Sequence, residues 1–402
     1  MAKKTLEDCR PGTLAGEVVI VRVDYNLPLD EDGAVADDTR LVRTVPTIQY
    51  LVQADAKTVL LSHLGRPEGR PDPSLSLRPV ALKLEEVLAS PVGFCSETSG
   101  PLAHQAVRSM ESGGVLLLEN TRFCPEDAQN QEAWAEAISF GAKLFVNDAF
   151  GTAHRAHAST QGVADAVRRR GGQAVAGFLM EKELRFLRGA VADPERPFVA
   201  IIGGAKISSK IDVIEALLPA VDRLLIGGAM ANTFFKARGY AVGDSLVEDD
   251  RIDTAIALIE LAGDKLLLPV DVVVAPGISA AADTRVAACD EVTEGEHIGD
   301  IGPRSVTEFA EVLDGARTVI WSGPMGVFEL PPFQSGTFDV ARAAASVADR
   351  GATVILGGGD SAAAAVAAGV VERITHVSTG GSASLELLSG KKLPGVEALS
   401  DR

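Results

Sequence analysis

FVAIIGGAKISSKIDVIEALL (198–218) shows in one stretch how this chain is built. A short apolar, β-branched run reads as a buried strand, Gly203-Gly204 ends it, and a helical pattern opens just after Lys206 and Lys210. The same unit recurs on both sides. RLLIGGAM (223–230), VDVVVAP (270–276), RTVIWSGP (317–324), ATVILGGG (352–359) and ITHVSTGG (374–381) are further strand candidates of the second half. VVIVRVD (18–24), TVLLSH (58–63), PVGFC (91–95), VLLLEN (115–120) and LFVNDAF (144–150) are those of the first. Helical patterns separate them, as in 77–90, where Leu77, Val80, Ala81, Leu84, Val87 and Leu88 form one apolar stripe and Ser90-Pro91 stops it. Strand and helix in alternation predict an α/β chain with two parallel-sheet halves. Between the halves, 180–191 has Met180, Leu184, Leu187 and Val191 at helical spacing, which predicts a connecting helix.

The strand ends of the two halves differ in chemistry. In the first they are polar or basic: Asp24, Asn26, His63, Arg66, Arg122 and Arg155, with Arg40 from a separate segment. In the second they are glycines: 203–204, 227–228, 323, 357–359 and 380–381. Ligands of open parallel sheets sit outside the carboxyl ends of the strands, so two binding faces are expected. Convergent arginines suit a small molecule carrying carboxylate and phosphate, although any one of them could be a surface arginine paired with an acid. Glycines let a backbone approach phosphate while helix N–H groups point at it, although strand-to-helix turns use glycine regardless of ligand. Lys206 and Lys210 are four apart at a helix start and suit a polyphosphate; the competing reading is a solvated lysine face. Asp360 follows three glycines, where a carboxylate faces phosphate favourably only through a bridging Mg²⁺; it could also, or instead, be a helix N-cap. His154 and His157 stand without a third ligand at metal spacing and read as hydrogen-bonding residues of a substrate loop.

Length and composition bound the rest. With 402 residues, two domains are expected; 46% apolar and 23% charged residues are a globular balance. A net charge of -17 disfavours nucleic acid and anionic membranes as partners, so an anionic ligand needs a local basic cluster. Cys9, Cys95, Cys124 and Cys289 form no CxxC pair, which signals neither zinc nor a redox motif. A charged start and the lack of any run of 18 apolar residues give the expectation of a cytoplasmic protein. No GxxxxGK[ST], GxGxxG, HRD or DFG element occurs, so a nicotinamide-dependent dehydrogenase is disfavoured and phosphate must be held by several separate loops. There is no obvious general base. Phosphoryl transfer involving a carboxylate needs none, because that group is already ionised at neutral pH; positioning and charge neutralisation suffice.

VRVDYNLPL (21–29), DDTRLVRTVPTI (37–48), LSHLGRP (61–67), LLENTRF (117–123), FVNDAFGTAHRAHAS (145–159), GFLMEKEL (177–184), GGAKISSKI (203–211), IGGAMANTF (226–234), WSGPMGVFE (321–329), GGGDS (357–361) and STGGSASLELLSGKKLPGV (378–396) resemble, in order, the signature segments of the phosphoglycerate kinases. The resemblance implies two Rossmann-like lobes and the reaction 1,3-bisphosphoglycerate + ADP ⇌ 3-phosphoglycerate + ATP, by in-line transfer with hinge closure in a monomer. It implies a first lobe 1–177 for the acid substrate, a hinge helix 178–192, a second lobe 193–382 for Mg-nucleotide, and a segment 383–402 returning to the first lobe. Asp24, Asn26, Arg40, His63, Arg66, Arg122 and Arg155 are implied at the acid substrate. Gly204, Lys206, Lys210, Gly228, Glu329, Gly358, Gly359, Asp360 and Ser361 are implied at the nucleotide, with Asp360 near magnesium and Arg40, Lys206 and Lys210 in catalysis. Ser209, Ser322 and Ser382 depart from the usual Asp, Asn and Gly, and GEHIGDIGP (295–303) lacks the usual Trp-Met-Gly. These departures touch the nucleotide side, and Ser209, Ser322 and Ser382 are the only features suggesting a catalytically silent binding protein.

Overall fold

The computed structural model describes residues 2–402, and the chain divides into two compact units. One runs to Leu184 and takes back Lys392–Arg402; the other is Arg185–Lys391.

The first unit is built on β1 (Val18–Arg22), β2 (Lys57–Leu61), β3 (Val92–Cys95), β4 (Val115–Leu118), β5 (Leu144–Asn147) and β6 (Gln173–Ala176). They form one parallel sheet in the order β3-β4-β2-β1-β5-β6. The central strands are apolar up to their last residues, Arg22 in β1 and Asn147 in β5, because helices cover both faces, so they read as runs rather than alternations. Val19, Val21, Leu60, Leu117 and Val146 pack with Ile48, Leu51 and Leu84 of the flanking helices into one core. Register decides where chemistry emerges. Arg22 pairs level with Leu61 on one side and Asn147 on the other, so Asp24, His63 and Asp148 leave the sheet at one edge. The outer strand β6 is covered by both chain ends: the Ala176 amide donates to Lys4 O, the Lys4 amide to Ser400 O, and the Ser400 amide to Ala174 O. An edge paired in this way is no longer open to another chain.

The second unit holds β7 (Phe198–Ile202), β8 (Arg223–Ile226), β9 (Leu266–Leu267), β10 (Asp271–Ala275), β11 (Arg285–Ala288), β12 (His297–Ile301), β13 (Thr318–Ser322), β14 (Thr353–Leu356) and β15 (His376–Val377). Its parallel sheet runs β15-β14-β13-β7-β8-β9. Ser322, Ile202 and Ile226 are level, and Trp321 is level with Leu356, so Gly203, Gly227, Gly323 and Gly357 all start just beyond the same edge. The run at 270–276 departs from expectation. It is β10, the centre of a separate three-stranded antiparallel sheet with β11 and β12.

Helix Phe178–Ala192 spans the division between the units. Its first turn is anchored in the first unit, where the Phe178 amide donates to Thr47 Oγ1 (3.0 Å) and the Met180 amide to Asp148 Oδ1 (3.1 Å). The returning segment is shorter than 383–402. Helix Ser382–Leu388 packs on Ile211–Leu217 within the second unit, and the return starts at Lys392.

Candidate active site

At the carboxyl edge of the first sheet, the Arg40 guanidinium, on the first turn of helix Thr39–Gln53, pairs with Asp24 at 2.9 Å. Asp24 also faces His63 Nδ1 at 3.9 Å. His63 is buried, and its Nδ1 lies 3.2 Å from a guanidinium nitrogen of Arg22. A guanidinium only donates, so Nδ1 accepts and the ring is neutral with its proton on Nε2. Burial first, then the cations Arg22, Arg122 and Arg40, push the His63 pKa well below its ordinary value, which agrees with that assignment. Arg122 donates to Gly65 O at 2.6 Å, and the Gly65 amide donates to Asn26 Oδ1 at 2.8 Å, so Asn26, the loop after β2 and Arg122 form one chain of contacts. Burial, with Arg22 and Arg155 nearby, brings Arg122 down to about 10. His157 is lowered by burial and by Arg22, Arg122 and Arg155, against the pull of Asp127. Arg155 and Arg66 are exposed; Arg155 contributes its charge to this cluster, whereas Arg66 stands beside it without a side-chain partner among the described residues.

Two members of the cluster escaped the sequence reading. Arg22 is buried inside the apolar run of β1, donates to Ser159 Oγ (3.1 Å) and Val23 O, and sits at the centre of the cationic group. An arginine in the middle of VVIVRVD was the available signal, since a buried strand rarely carries one without a partner. Asp127, fully buried, accepts the Ser159 amide at 2.8 Å and supplies negative charge opposite Arg22 and His157.

The second crest is made of backbone. Its glycines fall into two kinds. A Cβ at Gly203 would lie 2.2 Å from Pro324 O, one at Gly323 2.2 Å from Gly203 O, and one at Gly228 2.5 Å from the Gly204 nitrogen, so these residues let adjacent loops touch. Gly358, at φ +102°, has nothing nearer than Ser322 Oγ at 4.0 Å, and Gly359 has nothing within 4 Å. Those two leave an open cradle at the start of helix Gly359–Ala367. Below it the Lys210 ammonium donates to the buried Ser322 hydroxyl at 2.7 Å. Burial lowers the Lys210 pKa and Asp360 raises it. Ser361 Oγ accepts the Gly323 amide at 2.7 Å, joining the cradle to the loop after β13. Ser209, by contrast, bonds only back to Lys206 O (2.8 Å).

A cavity of about 260 Å³ opens beside this crest, lined by Gly204, Gly228, Phe235, Met325, Glu329 and Asp360 among others. Lys206, Lys210, Gly358, Gly359 and Ser361 do not line it, and Lys206 is exposed. Its floor is tied by Asp300, a carboxylate missed from sequence. Asp300 accepts the Ile301 amide (2.9 Å) and the Gly336 amide (2.6 Å), and burial pushes its pKa up to about 8 against those bonds. Asp360 is exposed in the first turn of its helix, but Gly358 is the N-cap residue, so Asp360 is not. Among the described residues no group of three or more His, Cys, Asp or Glu side chains gathers to hold a metal alone. One free carboxylate beside an open phosphate cradle fits magnesium, which takes one or two carboxylates and completes its shell with phosphate and water.

The model of the phosphoglycerate kinase family matches residues 7–391. The chain belongs to the phosphoglycerate kinase family. It is 52% identical over 406 residues to the phosphoglycerate kinase of Chloroflexus aurantiacus, covering all of both chains. It is 51% identical over 402 residues to the cytosolic phosphoglycerate kinase of Nicotiana tabacum, covering 99% of each. The solved phosphoglycerate kinase of Coxiella burnetii superimposes with a TM-score of 0.87 at 39% identity, and that of Pyrococcus horikoshii with 0.83 at 32%, each over 98% of both chains. The α/β architecture of two parallel sheets is therefore that of the family, and the chain is a phosphotransferase of its type.

Proposed function

We propose that the chain moves a phosphoryl group between 1,3-bisphosphoglycerate and ADP, giving 3-phosphoglycerate and ATP. The observation that carries this reading is the cationic cluster itself: in a chain of net charge -17, Arg40 on Asp24, Arg22 on His63 and Arg122 on Gly65 O converge on one edge of the sheet, with the charge of Arg155 beside them. Such a group is held together most favourably around a small polyanion. Asp24, Asn26, Arg40, His63, Arg66, Arg122 and Arg155 hold the acid substrate, and Arg22, buried behind them and bonded to Ser159, Val23 and His63, adds its charge without touching it. Gly204, Gly228, Glu329, Lys206, Lys210 and Gly358 to Ser361 hold the nucleotide. Arg40, Lys206 and Lys210 neutralise charge spread over the transferring group, and no proton has to be removed from the carboxylate. Asp360 holds Mg²⁺, which when bound shields the phosphate charge. Ser322, in place of the usual Asn, keeps a hydroxyl on Lys210, so the departures do not favour a silent paralogue.

The two residue sets belong to different compact units joined through helix Phe178–Ala192, so transfer requires a closing motion that brings reacting atoms to about 3–3.5 Å and excludes water. We read the protein as a cytoplasmic monomer, in line with its acidic surface and with no helix among the described residues long and apolar enough to cross a membrane. The test is ATP formation from 1,3-bisphosphoglycerate and ADP with and without magnesium. Turnover that needs both substrates and the metal is expected; its absence in folded protein overturns the reading.

A further inference from the structure

A second, larger cavity of about 710 Å³ opens on the first unit at the carboxyl ends of β3 and β4. None of Asp24, Arg40, His63, Arg66, Arg122 or Arg155 lines it, and nothing in the phosphoryl-transfer reading uses it. Its size is that of a small-molecule site. Pro73, Pro79, Phe94 and Phe123 give it apolar walls, and Arg78, on the first turn of helix Arg78–Leu88, gives it a cation.

The state of that cation makes the cavity specific. The Arg78 guanidinium lies 4.7 Å from the centre of the Phe94 ring and has no carboxylate partner among the described residues, in a chain with 55 acidic residues against 38 basic. The carboxylates on the same wall are mostly committed elsewhere. Glu119 accepts from Ser76 Oγ (2.7 Å), Leu77 N (2.9 Å) and Asn120 N (2.7 Å), and Asp72 accepts from Ser74 N (2.9 Å) and Ser74 Oγ (2.7 Å). Glu97 is the exposed lining carboxylate outside that set, and its charge disfavours a ligand with a second anionic group. A planar fork stacked on an aromatic ring, apolar walls and one opposing negative charge together describe the ligand.

We propose that this cavity binds an aromatic monocarboxylate, its carboxylate on the Arg78 fork and its ring against Phe94, Phe123 and the prolines. The site also reaches the cationic crest. Asn120, on the cavity wall, accepts from Leu64 N (3.2 Å) and Arg122 N (3.1 Å) and donates to Leu64 O (2.7 Å) and Leu75 O (2.9 Å). The wall is thus bonded to the segments carrying His63 and Arg122, next to the acid-substrate site proposed above but separate from it.

Calorimetric titration of the full chain with phenylacetate tests the binding directly. Saturable binding is expected, retained with saturating 3-phosphoglycerate and in Arg66→Ala, and weakened roughly tenfold or more in Arg78→Gln and for the neutral phenylacetamide. Arg78→Lys, which keeps the charge and loses the fork, falls between. Arg78 is exposed, so these variants test the site without removing core. No saturable binding, binding indifferent to Arg78→Gln, or competitive displacement by 3-phosphoglycerate overturns the proposal. An inactive enzyme that still binds phenylacetate through Arg78 contradicts only the reaction, so the two readings fail separately.

Discussion

In the proposed function the two crests meet one problem, holding an anion on a protein of charge -17, by opposite means. The first unit uses side chains. Burial first, and then the neighbouring guanidiniums, bring Arg122 down to about 10 and keep His63 neutral, so the cluster carries mutual repulsion that a polyanion bound there, as proposed, would relieve. The second unit uses backbone. Gly358 and Gly359 leave an uncharged cradle at a helix start, and Lys210 waits on Ser322. On the function proposed above, side-chain charge would give affinity and select a small ligand of fixed shape, and a backbone cradle with one tethered ammonium would leave charge compensation to be completed by magnesium and the second substrate.

Removing Lys210 attacks the sparser crest at its half-buried, tethered cation, so Lys210→Ala should give the largest effect, a loss of kcat of roughly a hundred- to a thousandfold by steady-state assay. A loss under tenfold would mean that the backbone and Lys206 carry the charge without it. Asp360→Ala should cost about tenfold at limiting magnesium and recover partly as magnesium rises. Unchanged magnesium dependence would leave Asp360 only its favourable placement at a helix start. Ser322→Ala frees the ammonium and should lower kcat several-fold, with Ser322→Thr restoring most of it and no further loss in a Lys210→Ala background. An equal loss in that background would give Ser322 a role independent of Lys210.

The smallest effect concerns pH. His63 resists protonation in the folded protein, whereas the unfolded chain takes up a proton near its ordinary value of 6.5. Below about that pH the unfolded state binds more protons, so stability falls as pH drops and is unaffected above it. Urea unfolding of His63→Gln from pH 7.5 to 5 should show a flatter slope than the wild type. Parallel slopes would show that burial and the cationic neighbours do not hold His63 neutral.

Much of this was legible because strand, break and helix succeed one another so regularly, and because chemistry in a parallel sheet gathers at one edge. Apolar pattern reports burial but not the partner. The valines of 272–274 look the same in a parallel and an antiparallel sheet, and β12, HIGDI, has too little apolar pattern to reveal the second sheet. Gln173–Ala176 was hidden for a related reason: a four-residue edge strand needs little apolar sequence when the chain ends cover it. Ser382–Leu388 has buried residues either unit could have covered, so the start of the return could not be read there. At the site, residue types were visible and pairings were not. Nothing local to Ser322 and Lys210, 112 positions apart, announces that they touch, and Arg22 was masked by the strand that buries it.

The division of labour between the crests is tested most directly by calorimetry of 3-phosphoglycerate and of Mg-ADP, each titrated into Arg122→Ala and Lys210→Ala. The account predicts that Arg122→Ala weakens 3-phosphoglycerate by about ten- to a hundredfold and leaves Mg-ADP within twofold, and that Lys210→Ala does the reverse. Comparable losses for both ligands in both variants would contradict it.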